Sequence, residues 1–256
     1  MPHNPPGRTL SGRDILALFR PDDYNREEWV YLTYHVDRLA FLVNLISAQL
    51  NRHTPNPQRR TRVLDVGPHF LTSLLHHFFG DRIVLHTIGW KNERLAPSRI
   101  IGRHTQFDLN DAHDRARWPN GESYDIVVMA EVIEHLYTAP RVVLAFLTTL
   151  LEEGGWLIIQ TPNAVALRNR VKMMLGRNPF EPIRETRSNP GHFREYTGEE
   201  LVAICDTAGL ECERLAYVDY WPTYVLLKIV QRVNPRLRNG LTLVLKKRRP
   251  GNHPAA

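Results

Sequence analysis

The chain has 256 residues, of which 43% are hydrophobic and 23% are charged, and its formal net charge is +6. This composition excludes a disordered chain and predicts a globular protein with a sizeable core. Two cysteines are too few for a disulfide framework, no apolar run approaches the ~20 residues of a transmembrane helix, and the first residues lack a secretory h-region, so we expect a cytoplasmic protein.

The first sixty residues are predicted to precede the main domain. Residues 1–12 are rich in proline and glycine and are expected to be disordered. Over 26–50 apolar residues recur three and four apart, which predicts a helix packed on the main domain rather than a coiled-coil dimer. These residues are Trp29, Leu32, Val36, Leu39, Val43, Ile46 and Leu50. Residues 51–61 are predicted to form a linker.

Strand and helix patterns alternate from residue 61 to about 250. Strands are predicted at 62–66, 82–88, 124–129, 155–160, 211–218 and 241–246, and helices at 72–79, 140–152, 198–208 and 222–233. Pro140 suits the first turn of its helix, and Gly154-Gly155 and Gly209 suit helix ends. The alternation predicts an α/β fold with a largely parallel sheet. Ligands of such sheets bind beyond the carboxyl ends of the strands.

Five motifs stand at or near those strand ends. They are VLDVG (63–67), FDLND (107–111), YDIVVMAEVIEHL (124–136), GGWLIIQTPN (154–163) and GHFREYTGEEL (191–201). In this order they resemble the class I S-adenosylmethionine (SAM)-dependent methyltransferases, in the type 11/23-like branch with ubiquinone-pathway, glycan and natural-product O-methyltransferases. The resemblance covers about 60–220. It implies a Rossmann-like seven-stranded sheet with helices on both faces over 61–250, after an N-terminal helical extension (1–60).

The resemblance also implies how SAM is held. Cofactor contacts are expected from Asp65, Gly67, Pro68, Asp108, Leu109 and Glu131. Gly67 would let the backbone approach the methionine part, and Asp108 would accept a hydrogen bond from the adenine amine; the alternative for Asp108 is a helix cap.

Two departures from the family pattern bear on this site. His69 and Leu71 replace glycines, which adds bulk where the cofactor would pass. Ile88-Gly89-Trp90 stands where an acid usually grips the ribose, and the nearest acid is Glu93. Because Pro68 can fix the turn, we expect a modified but working site rather than a closed one.

Glu131, Glu134 and His135 have the spacing of one helical face, which makes them candidates for chemistry. Three interpretations remain open. With His192 they resemble the set that binds Mg²⁺ or Mn²⁺ in some relatives. Alternatively, His135, helped by Glu131, is the general base for the acceptor. In the third, Glu131 and His135 only hold the loop.

The sulfonium of SAM is already activated, so proton-removing groups of this kind favour a hydroxyl acceptor. The expected reaction is O-methylation of a sugar, a glycolipid or another secondary metabolite. The alternatives are a methyltransferase-like scaffold protein without catalysis and an RNA 2′-O-methyltransferase. We find no RNA-binding module, so nucleic acid is not an expected partner.

An insertion at about 164–190 interleaves aliphatic residues with arginines. It is predicted to form a helical lid over the acceptor, or else a surface helix packed on the sheet. Together with 221–238 it has the composition of a segment that lies on a membrane. Peripheral contact with the inner face of a membrane, and a small-molecule, glycan or lipid-linked acceptor, are therefore further expectations.

Overall fold

The carboxyl ends of a central parallel sheet organise the fold. A computed structural model describes residues 9–52, 59–186, 190–220 and 225–249, with 225–228 described by their backbone alone. Within these ranges seven strands form one sheet in the order β3-β2-β1-β4-β5-β7-β6. The strands are β1 (Thr61–Val66), β2 (Ile83–Gly89), β3 (Arg103–Gln106), β4 (Tyr124–Ala130), β5 (Leu151–Pro162), β6 (Leu210–Val218) and β7 (Gly240–Lys247). Only β7 runs antiparallel to its neighbours.

Seven α-helices lie within the described residues, and five of them pack on the two faces of this sheet. They are α1 (Gly12–Leu16), α2 (Arg26–Arg52), α3 (Phe70–Phe79), α4 (Pro140–Thr149), α5 (Leu167–Met174), α6 (Gly198–Thr207) and α7 (Val225–Val233). One core cluster joins α1, α2 and α3 to one face, and a second joins α4 and α6 to the other. The predicted α/β architecture and its N-terminal helical extension are confirmed.

Burial on both faces explains why the central strands are continuous apolar runs. In β4, Ile126 and Val128 point into the cluster with α2 and α3, whereas Val127 and Met129 point into the cluster with α4 and α6. The alternation follows from the two-residue period of a strand. The sequence of such a strand shows no polar face. The apolar run therefore predicts the strand but not the face of the sheet to which each side chain points.

The amino terminus differs from the prediction. Leu10 N donates to Asn44 Oδ1 (2.9 Å), Asn44 Nδ2 donates to Leu10 O (2.8 Å), and Ser11 caps α1. These contacts order residues 9–12 against α2, so the expectation of disorder is wrong there; residues 1–8 lie outside the described residues. Of the predicted linker, 51 and 52 belong to α2, and 53–58 also lie outside.

The junction between α4 and β5 also differs. The helix predicted to reach residue 152 ends at Thr149, and β5 starts at Leu151 instead of 155. Gly154 has φ +74°, and the register with β4 shifts between Tyr124 and Ile126. The Gly154-Gly155 pair therefore marks an irregularity inside a strand rather than a helix end, a role that glycines in strands often have.

None of the described helices combines the length and the apolarity needed to cross a bilayer.

A buried ion pair secures the amino end of β4. Asp125 is 3% exposed, and Arg59 donates to it from Nη1 (2.6 Å) and Nη2 (2.9 Å). We expect Arg59→Ala to lower the free energy of unfolding by about 2 kcal/mol, because it leaves a buried carboxylate without its counter-ion. Urea unfolding measures this. Arg60→Ala, at an exposed neighbour, is the matched control and should change stability by less than about 0.5 kcal/mol; equal effects of the two variants would contradict the assignment.

Candidate functional site

A cleft of about 740 Å³ opens at the carboxyl ends of β1, β2 and β4. This is the volume of a pocket for a drug-sized ligand, and open α/β sheets bind their ligands at this edge. The cleft is bordered by the turns after the three strands and by α2. Residues from 183–186 and 190–193 also border it.

Two glycines bring the first two turns into contact. Gly67 follows β1 with φ +78°, and Gly89 ends β2 with φ +124°. A Cβ on Gly89 would lie 3.3 Å from Gly67 N, and one on Gly67 would lie 3.0 Å from Val132 Cγ2. The positive φ and these close contacts disfavour side chains at both positions, so backbone forms this wall of the cleft. Gly67 and Pro68 line the cleft, where the sequence placed them.

The two residues that replace family glycines behave differently. Leu71 is 5% exposed and packs in the core cluster with α2 and β1, and it is not among the residues that line the cleft. His69 does line it, with its ring 4.7 Å from that of Tyr31. The expected bulk from Leu71 is therefore not found, because the second residue of α3 points into the core. Only His69 changes the wall.

Asp65 lies beneath this turn and does not line the cleft. It is 2% exposed, and Thr72 Oγ1 donates to its Oδ2 (2.6 Å). The same Thr72 oxygen accepts from His69 N (3.0 Å). Burial raises the pKa of Asp65 to about 7, against the lowering effect of the Thr72 hydrogen bond. In this geometry Asp65 fixes the shape of the turn, and a direct contact with the cofactor stays a prediction.

The end of β2 offers no carboxylate to the cleft. Trp90, Lys91 and Asn92 line it there. Glu93 instead binds Lys91 Nζ (2.5 Å) and accepts from Ser98 N (2.9 Å). A ribose at this position would meet an indole, a lysine and an amide instead of the usual acid.

Asp108 and Leu109 also line the cleft and follow β3, which pairs with β2. Asp108 Oδ1 accepts from Asn110 N (3.0 Å) and Nδ2 (3.1 Å), and so begins a short 3₁₀ turn. Asn110 Oδ1 in turn accepts from the amides of Tyr137 and Thr138. Asp108 is thus both the turn cap and a cleft residue, and the two interpretations of the sequence are compatible.

Two carboxylates stand behind the cleft wall after β4. Glu131 has φ +54°, a left-handed conformation that costs energy outside glycine. Glu134 is 0% exposed, and its Oε2 accepts from Thr161 Oγ1 (2.9 Å). In the part of the chain that the structure describes, Oε1 of each is buried without a hydrogen-bond partner. Burial raises the pKa of both to about 7. Neither lines the cleft.

His135 lines the cleft with one nitrogen already engaged. Its Nδ1 donates to the carbonyl oxygen of Gly191 (2.8 Å), because a carbonyl can only accept. Nε2 is therefore the basic nitrogen, and burial lowers the pKa of the ring so that it is neutral near pH 7. His192 lies beside it, with ring centroids 4.9 Å apart, and its Nδ1 contacts Glu195 Oε1 (2.9 Å). Although burial lowers the pKa of His192, the hydrogen bond that its Nδ1 donates to Glu195 and the charge of Glu134 raise this pKa overall.

Three of the four predicted metal ligands come together. Ligand atoms of Glu134, His135 and His192 lie within 4.8 Å of one another, whereas Glu131 is not part of this group. Both imidazoles use Nδ1 for a hydrogen bond to a carbonyl or a carboxylate, which is how metal-binding histidines are usually oriented. Glu134 Oε1, which has no hydrogen-bond partner and lies 4.0 Å from His135 Nε2, completes an oxygen and nitrogen set suited to a divalent cation. These residues fit a metal ion.

Comparison with known proteins identifies the fold and the family. The profile of a family described as "Methyltransferase domain" matches residues 37–215. The chain belongs to the class I methyltransferase family.

Curated relatives of this methyltransferase include mycobacterial proteins. A probable S-adenosylmethionine-dependent methyltransferase of Mycolicibacterium smegmatis is 33% identical over 129 residues, 45% of this chain and 44% of the relative. One from Mycobacterium tuberculosis is 32% identical over 112 residues, 38% of this chain and 36% of the relative. The chain thus matches less than half the length of these relatives.

Solved structures show the same fold at low identity. The CurJ carbon methyltransferase has a TM-score of 0.54 at 15% identity, with 82% of this chain and 54% of that one covered. The [4+2]-cyclase SpnF has a TM-score of 0.51 at 14% identity, with 80% and 81% covered.

The N-terminal extension of the methyltransferase contributes residues that the sequence motifs did not reveal. Tyr31, His35 and Arg38 stand at i, i+4 and i+7 on α2, and Tyr31 lines the cleft. Arg38 is 3% exposed and donates to Tyr31 OH (3.0 Å), Gln160 Oε1 (3.1 Å) and His35 Nδ1 (3.2 Å). Its charge also acts on Glu131 and lowers the pKa of that carboxyl against burial. These three polar residues form a stripe beside the apolar stripe of α2, and this pattern in the sequence could have indicated that α2 contributes to the site.

The Thr72 hydroxyl is expected to hold the turn in shape. Thr72→Val removes the donor to Asp65 and the acceptor for His69 N, so the free energy of unfolding should fall by about 1–3 kcal/mol, and affinity for S-adenosylhomocysteine (SAH) should weaken. Thr72→Ser keeps the hydroxyl and is the matched control. Chemical unfolding and calorimetry give the two readouts. If Val and Ser at this position have equal SAH affinity, the hydroxyl does not shape the turn.

Proposed function

We propose that this protein is an O-methyltransferase that transfers the methyl group of SAM to a hydroxyl of a sugar, a glycolipid or another secondary metabolite. The observation that carries the proposal is the placement of His135. It lines the cleft, its Nδ1 is fixed by Gly191 O, and its Nε2 is left as a base. An expected location in the cytoplasm remains a prediction.

The cleft residues divide the binding of SAM between them. Gly67, Pro68, Asp108 and Leu109 line the cleft; the backbone of the first two would hold the methionine part of SAM, and the other two would hold the adenine. When bound, SAM supplies a methyl group activated by its sulfonium. The chain then has to align an acceptor oxygen with that methyl group, and alignment alone accounts for a large part of such rate enhancements.

A hydroxyl acceptor also has to lose its proton. As the oxygen bonds to the methyl carbon, the carbon–sulfur bond breaks with its electron pair going to sulfur, and His135 Nε2 takes the hydroxyl proton. The hydrogen bond to Gly191 fixes the tautomer that this step needs. An amine acceptor would need less of this machinery, which is why the geometry favours oxygen.

A second role for the same residues is supported by the unpartnered Glu134 Oε1. Glu134, His135 Nε2 and His192 would hold a divalent cation, Mg²⁺, Mn²⁺ or Zn²⁺. Such an ion acidifies a bound hydroxyl and so supplies the chemistry of a base. In that arrangement His135 would be a ligand.

His135→Ala tests the role of this side chain. The assay measures the formation of SAH from SAM in the presence of monosaccharides, glycolipids and phenols as candidate acceptors. We expect kcat to fall by about 10²–10⁴-fold, the contribution of a positioned base, with SAH affinity unchanged. His113→Ala is the matched control, because His113 is exposed and its Nδ1 also contacts a backbone carbonyl, that of Asn110 (2.8 Å). Turnover that survives in His135→Ala, or a preference for amine acceptors, would refute the proposal.

The metal content of the purified protein separates the two roles. If His135 acts alone as the base, the protein is metal-free by plasma mass spectrometry, and Glu134→Gln and His192→Ala retain most of the turnover. If the three residues hold a cation, each variant loses the metal, and added Mn²⁺ or Zn²⁺ raises the melting temperature of the wild type but not of His192→Ala.

A further inference from the structure

Asn169 is the one buried residue of helix α5 and ties it to the domain. Of its residues only Asn169 is buried, 2% exposed, and its Nδ2 donates to Ala164 O (3.1 Å) and more weakly to Asn163 O and Glu195 Oε2 (both 3.4 Å). None of its aliphatic residues belongs to either core cluster. The prediction of a surface helix that packs its apolar side on the sheet is therefore wrong for this segment.

Three of the four apolar residues of α5 lie on the side away from Asn169. Leu167, Val171 and Met174 stand at i, i+4 and i+7, on the face opposite Asn169. Val171 is 39% exposed and Met174 is 86% exposed. A helix on the surface of a soluble domain shows the reverse pattern, with its polar residues outward. This arrangement needs an apolar environment outside the protein.

The exposed apolar surface continues beyond the helix. Leu175 is 66%, Phe180 41% and Ile183 63% exposed. Together with α5 they form what we call the α5 surface, residues 167–184. Ile183 and the adjacent Arg184 also line the cleft, so this surface reaches the mouth of the proposed active site.

Cations surround these apolar residues. The α5 surface carries five exposed basic side chains against one acid, Glu181. The cations are Arg168, Arg170, Lys172, Arg177 and Arg184. Arg184 pairs with Glu181 (2.6 Å), and within the described ranges the other four form no ion pair. Arg168 and Arg170 flank the apolar stripe on its two sides. Arg170 Nε donates to Val165 O (2.8 Å), and its two terminal nitrogens and the Arg168 guanidinium can meet an anionic partner.

We propose that the α5 surface docks on an anionic lipid bilayer. Apolar side chains with arginines on both flanks match the boundary where acyl chains meet phosphate headgroups, because the arginines can extend to the phosphates while the apolar residues insert. Binding of RNA would account for the cations but not for the exposed apolar stripe. Binding to an apolar groove of another protein would account for the stripe but not for the cations that form no ion pair. The proposal concerns binding and does not depend on the reaction proposed above.

Vesicle binding tests the proposal with the complete chain. Flotation with phosphatidylcholine vesicles is compared with flotation when phosphatidylglycerol is included, and binding is expected only with the anionic lipid. Met174→Asp should weaken binding by at least about tenfold, because a large apolar side chain can no longer insert. Leu18→Asp is the matched control, since Leu18 is also exposed (40%) but lies outside the surface.

A second pair of variants tests the cations. Arg168→Gln with Arg170→Gln should weaken binding by about thirtyfold, whereas Arg60→Gln with Arg99→Gln, at exposed sites elsewhere, should have little effect. Equal binding to neutral and anionic vesicles, or equal effects of Met174→Asp and Leu18→Asp, would overturn the proposal. So would tight, salt-sensitive binding of single-stranded RNA that depends on the arginines but not on Met174.

Discussion

The Thr72 hydroxyl is the contact on which the cleft depends. It donates to the buried Asp65 and accepts from His69 N, so one oxygen joins the end of β1 to the first turn of α3. Glycine-rich turns of this kind let a ligand approach by having no side chains. Here the same clearance comes from a fixed backbone path that sends Leu71 into the core. The turn keeps an open wall although only Gly67 of the expected glycines is present.

A second constraint comes from α2, which brings a buried cation to the end of the sheet. Arg38 faces Glu131 and Glu134, two carboxylates whose pKa values burial raises to about 7. Buried charges of this kind cost stability unless they are paired, and they persist where function requires them. The N-terminal extension therefore does more than cover the core: it supplies Tyr31 to the cleft and a compensating charge to the carboxylates behind it.

The sequence predicted the order of the elements and the edge of the sheet where the site lies, because both follow from apolar runs and from motifs at strand ends. Gly67, Pro68, Asp108, Leu109 and His135 line the cleft. Asp65, Glu131 and Glu134 lie behind it, since a motif places a residue at a strand end without giving the direction of its side chain.

The other errors have a similar origin. Gly154-Gly155 suits a helix end as well as a strand irregularity, and the pairing partner that decides between them is distant in the chain. The outward apolar face of α5 could not be predicted either, because periodicity shows that a helix is amphipathic but not which side is attached. The role of the polar stripe of α2 also depends on distant residues, because the sheet brings Gln160 and Glu131 close to Arg38.

SAH binding to the purified chain shows whether the turn after β1 leaves a cofactor site open. Isothermal titration calorimetry should give a micromolar dissociation constant for the wild type. Binding should be at least about tenfold weaker for Gly67→Val, because a side chain is strained at φ +78° and its Cβ would lie 3.0 Å from Val132 Cγ2. Absence of binding to a folded wild-type protein at millimolar SAH would contradict the account.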